Sequence, residues 1–133
     1  SMNKPLNVCL IDDDEIHLYT IKRGLKQIDI LQKVSTFCDG EKAINFIQDN
    51  IHQTDSLPDL ILLDINMPIM DGFDFIEAFT KLKIEKNITI HMVSSSVNPN
   101  DIERAKEIPQ ISEYIIKPIA PEVLEQLIKN AAN

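Results

Sequence analysis

The sequence predicts an α/β fold, a doubly wound sheet of five parallel strands with helices on both faces. Three observations carry that expectation. Short apolar runs alternate five times with segments whose apolar residues recur at three- and four-residue spacing, the pattern of strand, right-handed crossover helix and parallel strand. The run Asp59 to Leu63 is apolar after its first residue, as a strand covered on both faces must be. Finally, four runs end in groups suited to holding a metal-bound phosphate. Val8-Cys9-Leu10-Ile11 leads into Asp12, Asp13 and Asp14; Leu60-Ile61-Leu62-Leu63 into Asp64; Ile90-His91-Met92-Val93 into Ser94; and Tyr114-Ile115-Ile116 into Lys117. In an open parallel sheet these ends share one edge, where such folds place ligands. Neighbouring strands lie about 4.8 Å apart, so carboxylates from two of them can share one divalent cation.

Taken in order, a first strand covers about Asn7 to Ile11, and a helix follows with Leu18, Ile21, Leu25 and Ile28 at helical spacing. Val34 to Cys38 alternates as an edge strand does, and Asp39-Gly40 opens a helix with Ala43, Ile44 and Ile47 on one face. The polar segment Asp49 to Pro58 is a loop before the strand Asp59 to Leu63. Asn66 to Gly72 is rich in turn formers, and Phe73, Ile76, Phe79 and Leu82 continue as a helix. Thr89 to Val93 is the fourth strand. Asn98-Pro99 fits a helix N-cap with proline at the first position, for a helix to about Ile108. Glu113 to Ile116 is the fifth strand, and Pro121 begins a last helix with Val123, Leu124, Leu127 and Ile128 inward.

The length of 133 residues is one domain's worth, with no room for an effector domain beside it. Hydrophobic residues at 44% and charged residues at 26% are a globular balance, not that of a disordered chain. A net charge of −8 and a pI near 4.7 argue against nucleic acid as a direct ligand and favour cationic patches on a protein partner. No run approaches the roughly 20 apolar residues that span a bilayer, and no charged leader precedes an apolar stretch, so the expectation is a cytoplasmic protein without membrane insertion. Ser1 before Met2 reads as a cloning remnant. Cys9 and Cys38 fall in predicted strands and read as buried small hydrophobes. His17, His52 and His91 lack metal-ligand spacing and read as exposed or core residues.

Four segments taken together, Asp12-Asp13, Leu62 to Gly72 around Asp64, Val93-Ser94-Ser95 and Tyr114 to Pro118, resemble the receiver domain of bacterial two-component response regulators, here of the single-domain type. The resemblance covers nearly the whole chain, and the four in this order are far more specific than any one. It implies the flavodoxin-like strand order 2-1-3-4-5. It also implies that Asp64 is the phosphoacceptor and that Mg2+ is held by Asp12, Asp13, Asp64 and the backbone carbonyl of Asn66. Lys117 would pair with Asp64 and then with a phosphoryl oxygen, Ser94 would bond another, and Ser94 and Tyr114 would form the switch. The implied donor is a sensor histidine kinase or a histidine phosphotransfer protein, and the implied output is contact with a downstream protein target. On this reading the chain is a signalling phosphoacceptor rather than an enzyme, with self-catalysed phosphorylation and dephosphorylation as its chemistry.

The residue types suit that chemistry. A carboxylate is a weak nucleophile, and its attack on phosphorus requires the charge on both partners to be neutralised, which magnesium and a lysine do together. Asp14 is the acid expected to be solvated. The family commonly carries a cis bond before the proline matched by Pro118. Ser94 stands where threonine is commoner, and Asn66 and Ser96 occupy the two positions that modulate loss of the phosphoryl group. The segment Glu107 to Glu113 lacks the small residues usual before the fifth strand. Two other readings exist. In a haloacid-dehalogenase-type phosphatase, Asp12 to Asp14 would supply the D-x-D signature, but no later acidic pair follows. The other is a receiver-like scaffold that binds partners without phosphorylation, which an intact acidic set argues against.

Overall fold

The structure is a computed structural model and describes residues 4–133; Ser1 lies outside the described residues. Ten elements alternate along the chain: β1 (Leu6–Ile11), α1 (Glu15–Lys26), β2 (Gln32–Phe37), α2 (Gly40–Asp49), β3 (Leu60–Leu63), α3 (Gly72–Lys81), β4 (Thr89–Ser94), α4 (Pro99–Lys106), β5 (Ile111–Ile116) and α5 (Pro121–Ala132). All strand pairs are parallel and the order is β2-β1-β3-β4-β5. The doubly wound sheet expected from the sequence is therefore the fold.

The pleat of the sheet divides the core in two. Cys9 and Ile11 of β1, Ile61 and Leu63 of β3, and Ile90 and Met92 of β4 face α2, α3 and α4, where they meet Ile47, Phe75 and Ala105. Leu6, Val8, Leu10, Leu60, Leu62 and Val93 point the other way, onto Ile21 and Leu25 of α1 and Leu124, Leu127 and Ile128 of α5. All four residues of β3 are buried. Burying such a side chain stabilises by roughly 1.5–3 kcal/mol, so this short central strand is well anchored despite its length. Burial also pushes the Cys9 thiol up to about 12, which leaves it inert.

Helix starts at the carboxyl edge of the sheet are fixed by side chains. Asp14, Asp39, Asp71 and Asn98 accept bonds from the backbone N–H groups of His17, Lys42, Asp74 and Asn100, satisfying donors that have no partner inside the helix. Helix α5 lacks a side-chain cap and starts instead on Pro121, whose ring presets the helical φ.

The structure corrects four expectations. Val123 is 41% exposed: Leu124, Leu127 and Ile128 already fill the inward stripe of α5, and Val123 lies one step around the helix. Cys38 is exposed just past β2, with its Sγ 3.3 Å from Lys42 Nζ, so it is neither in a strand nor buried. Strand β5 begins at Ile111, two residues early, because the ladder with β4 slips after Ile90↔Ile111 and resumes at His91↔Glu113, leaving Ser112 as an extra residue. Alternation breaks at such a bulge, which hides the strand from a period-two reading. Strand β2 spans Gln32–Phe37 rather than Val34 to Cys38, because its ladder with β1 already starts at Leu6↔Gln32 and ends at Ile11↔Phe37; His17 takes a core position beside Ile21 and Leu25, with Leu18 packed against the same cluster.

Candidate functional site

Three strand ends at the carboxyl edge bring charged side chains together. Asp12 and Asp13 follow β1, Asp64 follows β3, and Lys117 follows β5, where its bond to Pro118 is cis. Oxygens of Asp12, Asp13 and Asp64 lie within 4.8 Å of one another. Asp12 and Asp64 are buried at 4% and 6% exposure, whereas Asp13 is open to solvent. Lys117 Nζ bridges the two buried acids, 2.9 Å from Asp12 Oδ2, 3.1 Å from Asp12 Oδ1 and 3.2 Å from Asp64 Oδ2. The local backbone helps hold Asp64 in place. Asp64 Oδ1 accepts the N–H of Ile65 at 2.8 Å, and Gly72 N donates to Ile65 O at 2.8 Å, folding the β3–α3 turn back on itself. That fold requires a glycine at 72, since a Cβ there would come 2.2 Å from Asp64 O.

The electrostatics separate the two buried acids. Burial pushes Asp64 up to about 6, the neighbouring charge of Asp12 adds to the rise, and Lys117 only partly opposes it. Burial works on Asp12 in the same direction, but bonds from His17, the Asp14 N–H and Lys117 together outweigh it and hold this carboxyl below the usual range. Lys117 is likewise held above its ordinary value: burial favours the neutral amine, and the two acids overcome that. Three carboxylates thus face one lysine. A hard divalent cation with oxygen preference fits this donor set, and a thiolate-seeking metal does not.

The remaining expected residues occupy the rim. Ser94, fully buried at the end of β4, accepts the N–H of Ser96 at 3.1 Å. Tyr114 Oη donates to Ser96 O at 2.8 Å, so the β4–α4 loop is gripped from both sides. Ser96 Oγ donates to Asp101 Oδ2 at 2.6 Å. Asn66 is exposed in the β3–α3 turn, two residues beyond Asp64. Asp14 is spent largely as the cap of α1, with its second oxygen 3.8 Å from Lys117 Nζ. His17, which the sequence pattern passes over, reaches Asp12 Oδ2 with Nδ1 at 3.2 Å. No spacing rule links a strand-end acid to a histidine five residues on, because the contact is made by the turn between β1 and α1.

Comparison with known proteins gives a consistent answer. The family model described as response regulator receiver domain matches residues 8–129. The sensor histidine kinase CheAY of Helicobacter pylori is 32% identical over 98% of this chain, which spans 16% of that protein. The transcriptional regulatory protein PrrA of Mycobacterium leprae is 31% identical over 91% of the chain, which spans 46% of it. A crystal structure of a two component response regulator from Cytophaga hutchinsonii superposes with a TM-score of 0.84 at 26% identity, covering 98% of this chain and 99% of that one. The phosphorylated cyanobacterial phytochrome response regulator RcpA gives 0.77 at 26% identity, covering 95% and 90%.

Proposed function

The chain belongs to the response regulator receiver family, a family of signalling phosphoacceptor domains that work with histidine kinases and downstream effectors, and from that premise we propose the following. Asp64 accepts a phosphoryl group from a phosphohistidine on a sensor kinase or a histidine phosphotransfer protein, in a magnesium-dependent reaction, and the product signals by protein–protein contact. The observation that carries this reading is the placement of Asp64. It follows the one strand whose residues are all buried, and it lies against two further acids and a bridging lysine.

An oxygen of Asp64 attacks phosphorus in line with the donor's N–P bond; the O–P bond forms as the N–P bond breaks, and the departing imidazole retains the electron pair and takes a proton from water. With its pKa raised only to about 6, Asp64 is mostly ionised at neutral pH and available as the nucleophile. When bound by Asp12, Asp13, Asp64 and the Asn66 carbonyl, magnesium neutralises charge on the transferring group and on the nucleophile. Lys117 supports the reading because its Nζ already contacts Asp64, from which it can turn to a phosphoryl oxygen. Ser94 accepts from Ser96 N through an oxygen lone pair, so its hydroxyl proton remains free to bond another, which would link the phosphoryl group to the loop that Tyr114 also holds. The D-x-D phosphatase reading loses its second acid, since Asp14 is turned to cap α1.

The test is incubation with magnesium and a small acyl phosphate, read by intact mass. Wild type should gain one phosphoryl group and Asp64→Asn none. Undiminished labelling of the variant would overturn the assignment and make Asp13 the next candidate, and no labelling of wild type would favour the scaffold reading.

A further inference from the structure

The carboxylate of Asp12 is engaged at both oxygens. Oδ1 accepts from Asp14 N at 2.9 Å and from Lys117 Nζ at 3.1 Å, while Oδ2 bonds His17 Nδ1 at 3.2 Å and lies in ionic contact with Lys117 Nζ at 2.9 Å. Three hydrogen bonds thus use most of the roughly four lone-pair sites a carboxylate has. Lys117 straddles both oxygens, so it occupies the side between them; His17 and the Asp14 N–H each hold one oxygen from outside. A cation that bonds Asp12 directly therefore competes with Lys117 for the carboxylate. Once Lys117 has turned away, the two outside contacts are all that keep the carboxylate from rotating.

We propose that His17 is a positioning residue for the metal site: its Nδ1–H clamps Asp12 Oδ2 from behind and presents the side that Lys117 covers to a divalent cation. This rests on the reading of Asp12 as a metal ligand. An ionised Asp12 can only accept, so Nδ1 is the donor in this contact. Nε2 is buried and has no partner among the described residues, so no second bond competes for the ring. An apolar residue would fill this inward position of α1, beside Ile21 and Leu25, without burying an unpaired polar atom. The histidine is thus a poor choice for packing and a good one for holding a carboxylate, as groups behind metal ligands commonly do.

The experiment titrates magnesium alone into the chelator-treated full chain, following amide shifts in nuclear magnetic resonance spectra, for wild type, His17→Leu and His17→Asn. His17→Leu should bind about tenfold more weakly. His17→Asn, whose side-chain amide can donate from nearly the same place, should recover most of the affinity. In wild type, imidazole nitrogen spectra should show His17 protonated on Nδ1 and its signal shifting as magnesium binds. Wild-type affinity in His17→Leu, or a proton on Nε2 instead, overturns the clamp even if that variant folds poorly. No binding to wild type at all would instead strike the metal reading on which the clamp depends.

Discussion

The two ends of the sheet both collect charge, half-buried at one and buried at the other, but only one end balances it. At the amino edge, Lys86 Nζ donates to Thr54 O at 2.8 Å and Leu57 O at 2.7 Å and pairs with Asp59 Oδ1 at 3.1 Å. Asp59 Oδ2 takes the Asn7 N–H at 2.8 Å, and Asn7 Nδ2 ties down the carbonyls of Asp55 and Leu57. Donors and acceptors match there, and the result is a pinned loop. At the carboxyl edge one lysine serves two buried acids, a third stands open, and the pKa of Asp64 records the mismatch. A satisfied polar cluster is structural; an unsatisfied one can take up a charged ligand, which on the proposed function is a cation and a phosphoryl group.

The sharpest way to break this comparison is to remove the lysine from each end. Lys117→Met leaves two buried acids facing each other and should cost about 3–5 kcal/mol in metal-free protein above neutral pH. Lys86→Met removes one donor from each of two carbonyls, which keep Leu57 N–H and Asn7 Nδ2 as partners, and unpairs one half-exposed acid, so it should cost only about 1 kcal/mol. Magnesium should restore stability to the first variant and leave the second unchanged. Urea denaturation with and without the cation checks both, and an equal magnesium response in the two would show that the ends do not differ in kind.

The next effect is one of pH. Asp64 has a folded pKa above its unfolded one, so below the unfolded value near 3.8 its contribution is intact, and stability falls as pH rises towards about 6. A shift of about two units corresponds to at most about 3 kcal/mol. Asp12 runs the other way: its folded pKa is depressed, so its stabilisation is present above the unfolded value and is lost as pH falls. Metal-free wild type should therefore lose stability between about pH 4 and pH 6, and Asp64→Asn should flatten that decline and be the more stable protein at pH 7. A variant that melts lower than wild type at pH 7 would mean that its lost contact with Lys117 outweighs the relieved repulsion.

Asp13 should matter less to the fold and more to the cation. It is exposed, so removing it relieves only screened repulsion, and Asp13→Ala should raise the metal-free melting temperature slightly. Its magnesium-dependent rise should vanish. A melting shift with magnesium equal to that of wild type would exclude Asp13 as a ligand.

The difference between the ends also marks what was legible in the sequence. Strand-end groups such as Asp12, Asp64 and Lys117 could be read because parallel strands carry them to one edge whatever the loops do. The central strands were legible as continuous apolar runs. The start of β5 was not, because the slip at Ser112 breaks alternation, nor was Val123, whose apolar character says nothing about a stripe its neighbours already fill. His17 was hidden for another reason. Its partner is fixed by the geometry of the β1–α1 turn, and an inward position on a helix reads as core whatever residue fills it.

The smallest predicted effect lies in the loop between these elements. Ser94 Oγ now accepts from Ser96 N at 3.1 Å, and Tyr114 Oη holds the carbonyl of the same residue at 2.8 Å, so Ser96 couples the site to β5. Ser94→Ala removes one neutral hydrogen bond and should lower stability by about 1 kcal/mol. Asp64 keeps its nucleophile, so labelling by acyl phosphate should persist in this variant, even if slower. What should be lost is the link from site to loop: with beryllofluoride as a phosphoryl mimic, wild type should show amide shifts at Ser96 and Tyr114, and Ser94→Ala much smaller ones. Shifts of wild-type size in the variant would mean that charge at Asp64 reaches β5 by another path, with Lys117 and its direct chain connection to Ile116 the first to examine.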